Sequence, residues 1–224
     1  IEKEEKLISE GFSKVLGIDK MSRGFEENLI IQKKYLKKIK PKKNFYFSTI
    51  EKLNPKKKFD IILLFSVLEH VKNWENLLLS CNKRLTKKGK IIINCPNYSS
   101  FYEPHFGLPI FINKKFTYML YKQKINLIEK KKNYKGMYKE LNFITYKKLI
   151  KYFLKNKLEF KFDRNILFEY FNRINKDKLF EKRHPHLSKF VKFIKMFGIS
   201  KLFFYLPMRF QPILQFEIKR NNHK

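Results

Sequence analysis

Three short stretches carry side chains whose types could do chemistry. In "YEPHFG", Glu103 and His105 flank Pro104. The stiff proline lets both point into one pocket, and an imidazole titrating near neutral pH can act as a general base. In "VLEHV", Glu69 and His70 begin a turn after a long apolar run. His70 is either a second base or a residue that shapes this loop. In "VLGIDKM" a short apolar run ends in Asp19, which by itself reads as a strand-end acid or a helix cap. Cys81 and Cys95 sit in apolar contexts without metal-ligand spacing, so no metal is expected from the sequence.

The elements that must hold these residues follow from pattern. Residues 1–12 read as the tail of an amphipathic helix ending at Gly11, and Val15–Ile18 as a short buried strand. "EENLIIQKKYLKKI" has helical spacing until Pro41, and "NFYFST" reads as a second strand. "FDIILLFSV" is a third and the strongest. "NWENLLLSCNKRL" predicts a helix capped by Asn73 and closed at Gly89, and "KIIINCPN" a fourth strand that Pro96 ends. Strands alternating with helices at this spacing mean an α/β domain with a mainly parallel sheet. Ligands bind such sheets at the carboxyl ends of strands, which puts Asp19, Ser48-Thr49, Ser66–His70 and Asn94–Asn97 along one edge as a single candidate site. Further on, "YSSFYEPHFGLP" is loop-like, and "FITYKKLIKYFLKN" is a helix with Thr145 as cap. "LEFKFD" is a strand, and the alternating "PILQFEIKR" fits a final edge strand. Within residues 186–205, Leu187, Phe190, Val191, Ile194 and Phe197 share a helical stripe, with Lys189, Lys192 and Lys195 elsewhere. Such a basic amphipathic helix is either a lid or a peripheral contact with an anionic membrane. The expected organisation is a core over 1–162, an aromatic and basic helical excursion or lid over 163–208, and a final strand and basic tail over 209–224.

Composition bounds the function. A hydrophobic fraction of 43% with 24 Phe excludes a disordered chain. No apolar run is long enough to span a bilayer, and the charged start lacks the apolar centre of a signal peptide. A reducing cytoplasm is the expected setting, with peripheral contact at the inner face of the membrane as a variant. The net charge of +31 suits counterion release from a phosphate backbone, but only seven of the 51 cations are arginine. Lysine, asparagine, isoleucine and phenylalanine enriched together is also what an A/T-rich genome produces. We therefore read the charge as compositional in preference to a nucleic-acid surface.

"VLGIDKM", "STIEKLN", the run from "FDIILLFSVLEHV" to "NCPN", and "LNFITYKKLIKYFLKNKLEFKF" occur in an order that resembles the class I S-adenosylmethionine-dependent methyltransferases. The likeness is to the small-molecule branch that includes ubiquinone-biosynthesis enzymes, and it covers about residues 7–160. It implies a Rossmann-like α/β sandwich with a mainly parallel sheet and an antiparallel last strand. It implies S-adenosylmethionine as cofactor, with Asp19 accepting from the ribose hydroxyls and Lys20 and Met21 flanking the adenine. Thr49 stands where the family has an acid, so a hydroxyl and the Ile50 amide are left to meet the adenine edge. Phe65 and Ser66 line the methionine part. Glu69 and His70 lie beside the cleft, and the loop bearing Glu103 and His105 falls where substrate contacts form. If the acceptor is a hydroxyl, His105 could take its proton.

The family's glycine-rich loop precedes that ribose acid by about twenty residues, where its amides approach the cofactor carboxylate. Only eighteen residues precede Asp19, and Gly11 and Gly17 begin no G-x-G pattern. The first strand and glycine loop are therefore expected to be missing, the chain to be an N-terminally truncated fragment or a relic, and cofactor binding to be impaired. The leading reading is methyl transfer to a small-molecule acceptor, such as a lipid-linked, glycan or quinone precursor. The rival is a non-catalytic basic scaffold or nucleic-acid-binding module. An RNA methyltransferase is disfavoured, because "NCPN" is not an amine-methylating motif.

Overall fold

The computed structural model describes residues 15–19, 45–132, 136–178, 181, 185–198 and 205–220. The expected N-terminal helical tail, the helix over residues 26–39, and Lys20 and Met21 lie outside the described residues. The chain divides into two units, Ile1–Lys58 with Lys122–Glu140, and Phe59–Tyr121 with Leu141–Lys224.

In the first unit, β1 (Gly17–Asp19) and β2 (Phe45–Phe47) pair in parallel, with Gly17 opposite Phe45 and Asp19 opposite Phe47. Beyond β2, extended Thr49 leads into a 3-10 turn over Ile50–Lys52, and Ile50 and Leu53 are buried beneath it.

The remaining elements are β3 (Phe59–Phe65), α1 (Trp74–Lys83), β4 (Leu85–Pro96), β5 (Tyr102–Glu103), β6 (Leu108–Pro109) and α2 (Lys114–Lys132). After them come α3 (Met137–Glu140), α4 (Tyr146–Lys155), β7 (Glu159–Phe162), α5 (Ile166–Lys176), α6 (Pro185–Met196) and β8 (Ile213–Lys219). α2 leaves helical geometry at Tyr121, where the second unit gives way to the first; its later turns and α3 belong to the first.

A four-stranded sheet in the order β3-β4-β8-β7 organises the second unit. β3 and β4 run parallel, and β8 runs antiparallel to both of its neighbours. Alternation decides the buried face: Ile91, Ile93 and Cys95 on β4 and Leu214, Phe216 and Ile218 on β8 are each at most 1% exposed. α4 covers the β7–β8 side through Phe153, whose ring centroid lies 4.7 Å from Phe160 and 5.4 Å from Phe216. Both expected caps form. Asn73 Oδ1 accepts from the Asn76 N–H at the start of α1, and Thr145 Oγ1 from the Lys148 N–H at the start of α4.

The structure corrects three sequence expectations. α1 ends at Lys83, and Gly89 lies inside β4, where a Cβ would stand 2.8 Å from the Phe59 carbonyl oxygen and 3.0 Å from the Thr86 nitrogen. Close backbone approach, not a helix cap, requires this glycine. β8 is interior, bonded on both sides; its outward alternation reflects polar partners, because Gln215 meets Asn94 and Asp163 and Glu217 meets Lys90. The stretch expected as plain loop holds a 3-10 turn at Tyr98–Ser100 and the β5–β6 hairpin. On α6, Val191 and Ile194 are buried, and Val191 packs with Leu167 and Phe171 of α5; Phe197 is 58% exposed. No described helix is long and apolar enough to cross a membrane.

Candidate functional site

β3 delivers its last residue, Phe65, to the surface, and Ser66 turns the chain with φ 54°, a left-handed conformation that non-glycine residues rarely adopt. The Ser66 N–H still donates to the Asn94 carbonyl at 2.8 Å, so the turn is tied to the end of β4. A 3-10 turn over Leu68–His70 follows, with Leu68 and Glu69 fully buried. Asn142 clamps this turn. Its N–H donates to the Glu69 carbonyl at 2.6 Å, and its side-chain amide donates to the carbonyls of Leu68 and Val71.

The β5–β6 hairpin holds the second half of the site. The buried Glu103 carboxylate accepts from the backbone N–H groups of His105 (3.0 Å) and Phe106 (2.7 Å), and from the Tyr98 hydroxyl (3.5 Å). It also meets His105 Nδ1 at 2.7 Å. One carboxylate therefore sets both the turn and the imidazole. With Nδ1 committed to Glu103, Nε2 is the nitrogen through which His105 would act. The His70 and His105 rings meet edge to face, with centroids 5.1 Å apart.

Glu69 completes the group. No other described residue donates a hydrogen bond to either of its oxygens, and its nearer oxygen lies 4.0 Å from His70 Nε2. Burial first, and the Glu103 charge in lesser measure, push its carboxyl up to about 7 against the pull of its own backbone hydrogen bond and of His105. Burial and the neighbouring His105 push His70 down to about 4, outweighing the Glu103 charge. At neutral pH, His70 is thus a neutral imidazole and its approach to Glu69 is no ion pair. One donor atom from each of Glu69, His70 and His105 falls within 4.8 Å of the others, so this trio could hold a metal.

The structure brings together His70, Glu103 and His105, with Phe65 and Ser66 in the same unit. Asp19, Thr49 and Ile50 belong to the other unit: Asp19 ends β1, and Thr49 enters the following turn without using its hydroxyl as a cap. Asn97, placed on the ligand edge by sequence, is fully committed inside the protein. Its amide donates to the carbonyls of Met208, Arg209 and Gln211, and its oxygen accepts from the N–H groups of Ser99 and Tyr146. Two site residues escaped sequence reasoning, the Tyr98 hydroxyl and the Asn142 clamp, and Glu69, placed beside the cleft by sequence, is fully buried. Only Glu69 carried a signal, a carboxylate set in the apolar run "SVLEHV".

A family described as a methyltransferase domain matches residues 5–159. The chain belongs to the methyltransferase domain family. Its parallel β3 and β4, with β8 reversed beside them, form the Rossmann-like class I arrangement. An uncharacterised protein of Mycobacterium tuberculosis is 26% identical over 166 residues, which is 73% of this chain and 57% of that protein. A ubiquinone biosynthesis O-methyltransferase of Rickettsia bellii is 33% identical over 91 residues, 41% of this chain and 36% of that enzyme. The methyltransferase domain thus spans little more than half the length of the first of these relatives. Among solved structures, the plantazolicin methyltransferase BamL in complex with a triazolic desmethylPZN analog and SAH is 13% identical, with a TM-score of 0.49 over 97% of this chain and 73% of that one.

The cofactor of this class is S-adenosylmethionine. Within the second unit the residues present fit its methionine end: β3 ends in a 39% exposed aromatic ring, Phe65, followed by Ser66 in the left-handed region.

Proposed function

We propose that this methyltransferase domain moves the methyl group of S-adenosylmethionine to a hydroxyl of a small, phenol-like acceptor, and that His105 takes the acceptor's proton. The observation that carries the reading is the Glu103–His105 pair, a buried carboxylate bonded to Nδ1 at 2.7 Å. Such a partner fixes the tautomer and leaves Nε2 as the proton acceptor. The O-methyltransferase named among the relatives supports an oxygen nucleophile.

Asp19 would hold the ribose, Lys20 and Met21 would flank the adenine, Thr49 and Ile50 would meet its edge, and Phe65 and Ser66 would line the methionine portion. When bound, the cofactor supplies a methyl group already activated on a sulfonium. The work left to the protein is to orient the acceptor oxygen and to remove its proton. Glu103 is buried, so it acts on His105 and not on the acceptor: it is a positioning residue. His70, neutral and edge-on to His105, fixes the ring's tilt.

The test is transfer from labelled S-adenosylmethionine to a panel of phenols and catechols. His105→Ala is expected to lower kcat by about 10²- to 10⁴-fold. Glu103→Gln, which loses the charge but keeps a group that can bond Nδ1, is expected to lower kcat less and to shift the pH profile, with KM for the cofactor unchanged. Full transfer by a folded His105→Ala protein would remove this role.

A further inference from the structure

The geometry points to a second use of the same pocket: a binding site for a divalent transition-metal cation of the zinc type, held by the Glu69 carboxylate, one nitrogen of His70 and Nε2 of His105. The first observation is the donor set. Two imidazoles and one carboxylate suit zinc, cobalt and nickel far better than magnesium or calcium, which require all-oxygen shells. One donor atom from each residue already lies within 4.8 Å of the other two. In a tetrahedral zinc site donors stand about 3.3 Å apart, so binding would draw these three together and leave the fourth position to water.

The second observation is independent of spacing. Glu69 is 0% exposed, yet no other described residue donates a hydrogen bond to either carboxylate oxygen. Buried carboxylates are ordinarily bonded, and one that no protein donor meets calls for a partner of the kind a water or a cation supplies. A second buried carboxylate, Glu103, sits behind His105 and adds negative charge to the pocket. The third observation is that outer carboxylate. Metal-bound histidines usually give their other ring N–H to a carboxylate or carbonyl, which is the relation His105 Nδ1 has to Glu103 at 2.7 Å.

The cation would take Nε2 of His105, the atom that receives a proton in the reading above. On this point the inference rests on that reading, and it predicts that zinc loading suppresses transfer and chelation restores it. The site itself does not depend on it and is measured without cofactor or acceptor.

The experiment is calorimetric titration of the metal-free 224-residue chain with Zn²⁺, repeated with Co²⁺ while recording its visible absorption. One equivalent is expected to bind, with the intense visible bands of four-coordinate cobalt. Glu69→Gln and His70→Ala should each weaken binding at least tenfold, and Glu103→Gln, the outer partner, by about 10- to 100-fold. The double variant His184→Ala/His186→Ala controls for the only other closely spaced histidines and should bind as wild type. Absence of binding by the folded protein, or equal affinity in Glu69→Gln and wild type, would overturn the site. Binding that raises transfer instead of suppressing it would leave the site standing and remove His105 as the proton acceptor.

Discussion

At the scale of single residues, Glu69 makes the sharpest prediction. Its carboxyl is held at about 7 in the folded protein against 4.5 in the unfolded chain. The folded state therefore binds a proton more readily, and stability falls as pH rises from about 4.5 to about 7. Above that window the penalty is complete, about 3 kcal/mol. His70 works with the opposite sign. Its pKa drops from 6.5 to about 4 on folding, so the unfolded chain is the better proton binder and stability rises with pH across that window. The two slopes oppose each other in the wild type. In metal-free Glu69→Gln only the rising slope remains, and urea unfolding at pH 8 should show a gain of up to about 3 kcal/mol. A variant no more stable than wild type at pH 8 would contradict a buried Glu69 that no described residue bonds. Asn97 predicts a loss. Asn97→Ala takes the side-chain partner from the Arg209 and Gln211 carbonyls and from two N–H groups, while the Met208 carbonyl keeps the Gln211 N–H, and should cost about 3 kcal/mol in the same assay. An unchanged midpoint would count against this bonding.

At the scale of elements, most strands were legible in the sequence because each is a short apolar run between turn formers. "FDIILLF" and "EFKF" fall where their patterns place them, and Asn73 and Thr145 cap as their types suggest. What the pattern did not show is pairing. An alternating strand looks the same at an edge or in the middle, so β8 read as an edge until its bonds to β4 and β7 were seen. Gly89 read as a helix end because the spacing from α1 is right; the reason for it lies in Phe59, thirty residues earlier, where no local signal exists. Gly89→Ala would drive a Cβ against backbone atoms that cannot yield, and is expected to lower stability by about 1 to 3 kcal/mol in thermal unfolding. An unchanged melting temperature would mean that β3 and β4 approach less closely. In the site, His70, Glu103 and His105 were recognisable by residue type. Their convergence was not, because it depends on the Asn142 clamp and on a hairpin hidden in an irregular stretch.

At the scale of the whole molecule, charge is the dominant property. With 51 cationic and 20 acidic side chains, the chain repels itself. Raising salt from about 0.05 to 0.5 M shortens the screening length severalfold and is expected to raise the melting temperature. A fall with salt would mean that the surface is organised into stabilising ion pairs. With 44 lysines to seven arginines, little of the charge offers a planar, bidentate readout. Family membership rests instead on residues 5–159.

The central claim is that a carboxylate-held histidine serves methyl transfer, and its most direct test is the rate of transfer from labelled S-adenosylmethionine to phenolic acceptors by wild type and His105→Ala, with cofactor affinity measured on both. The account predicts a fall in kcat of about 10²- to 10⁴-fold at unchanged cofactor affinity. Equal kcat in the two proteins would contradict it.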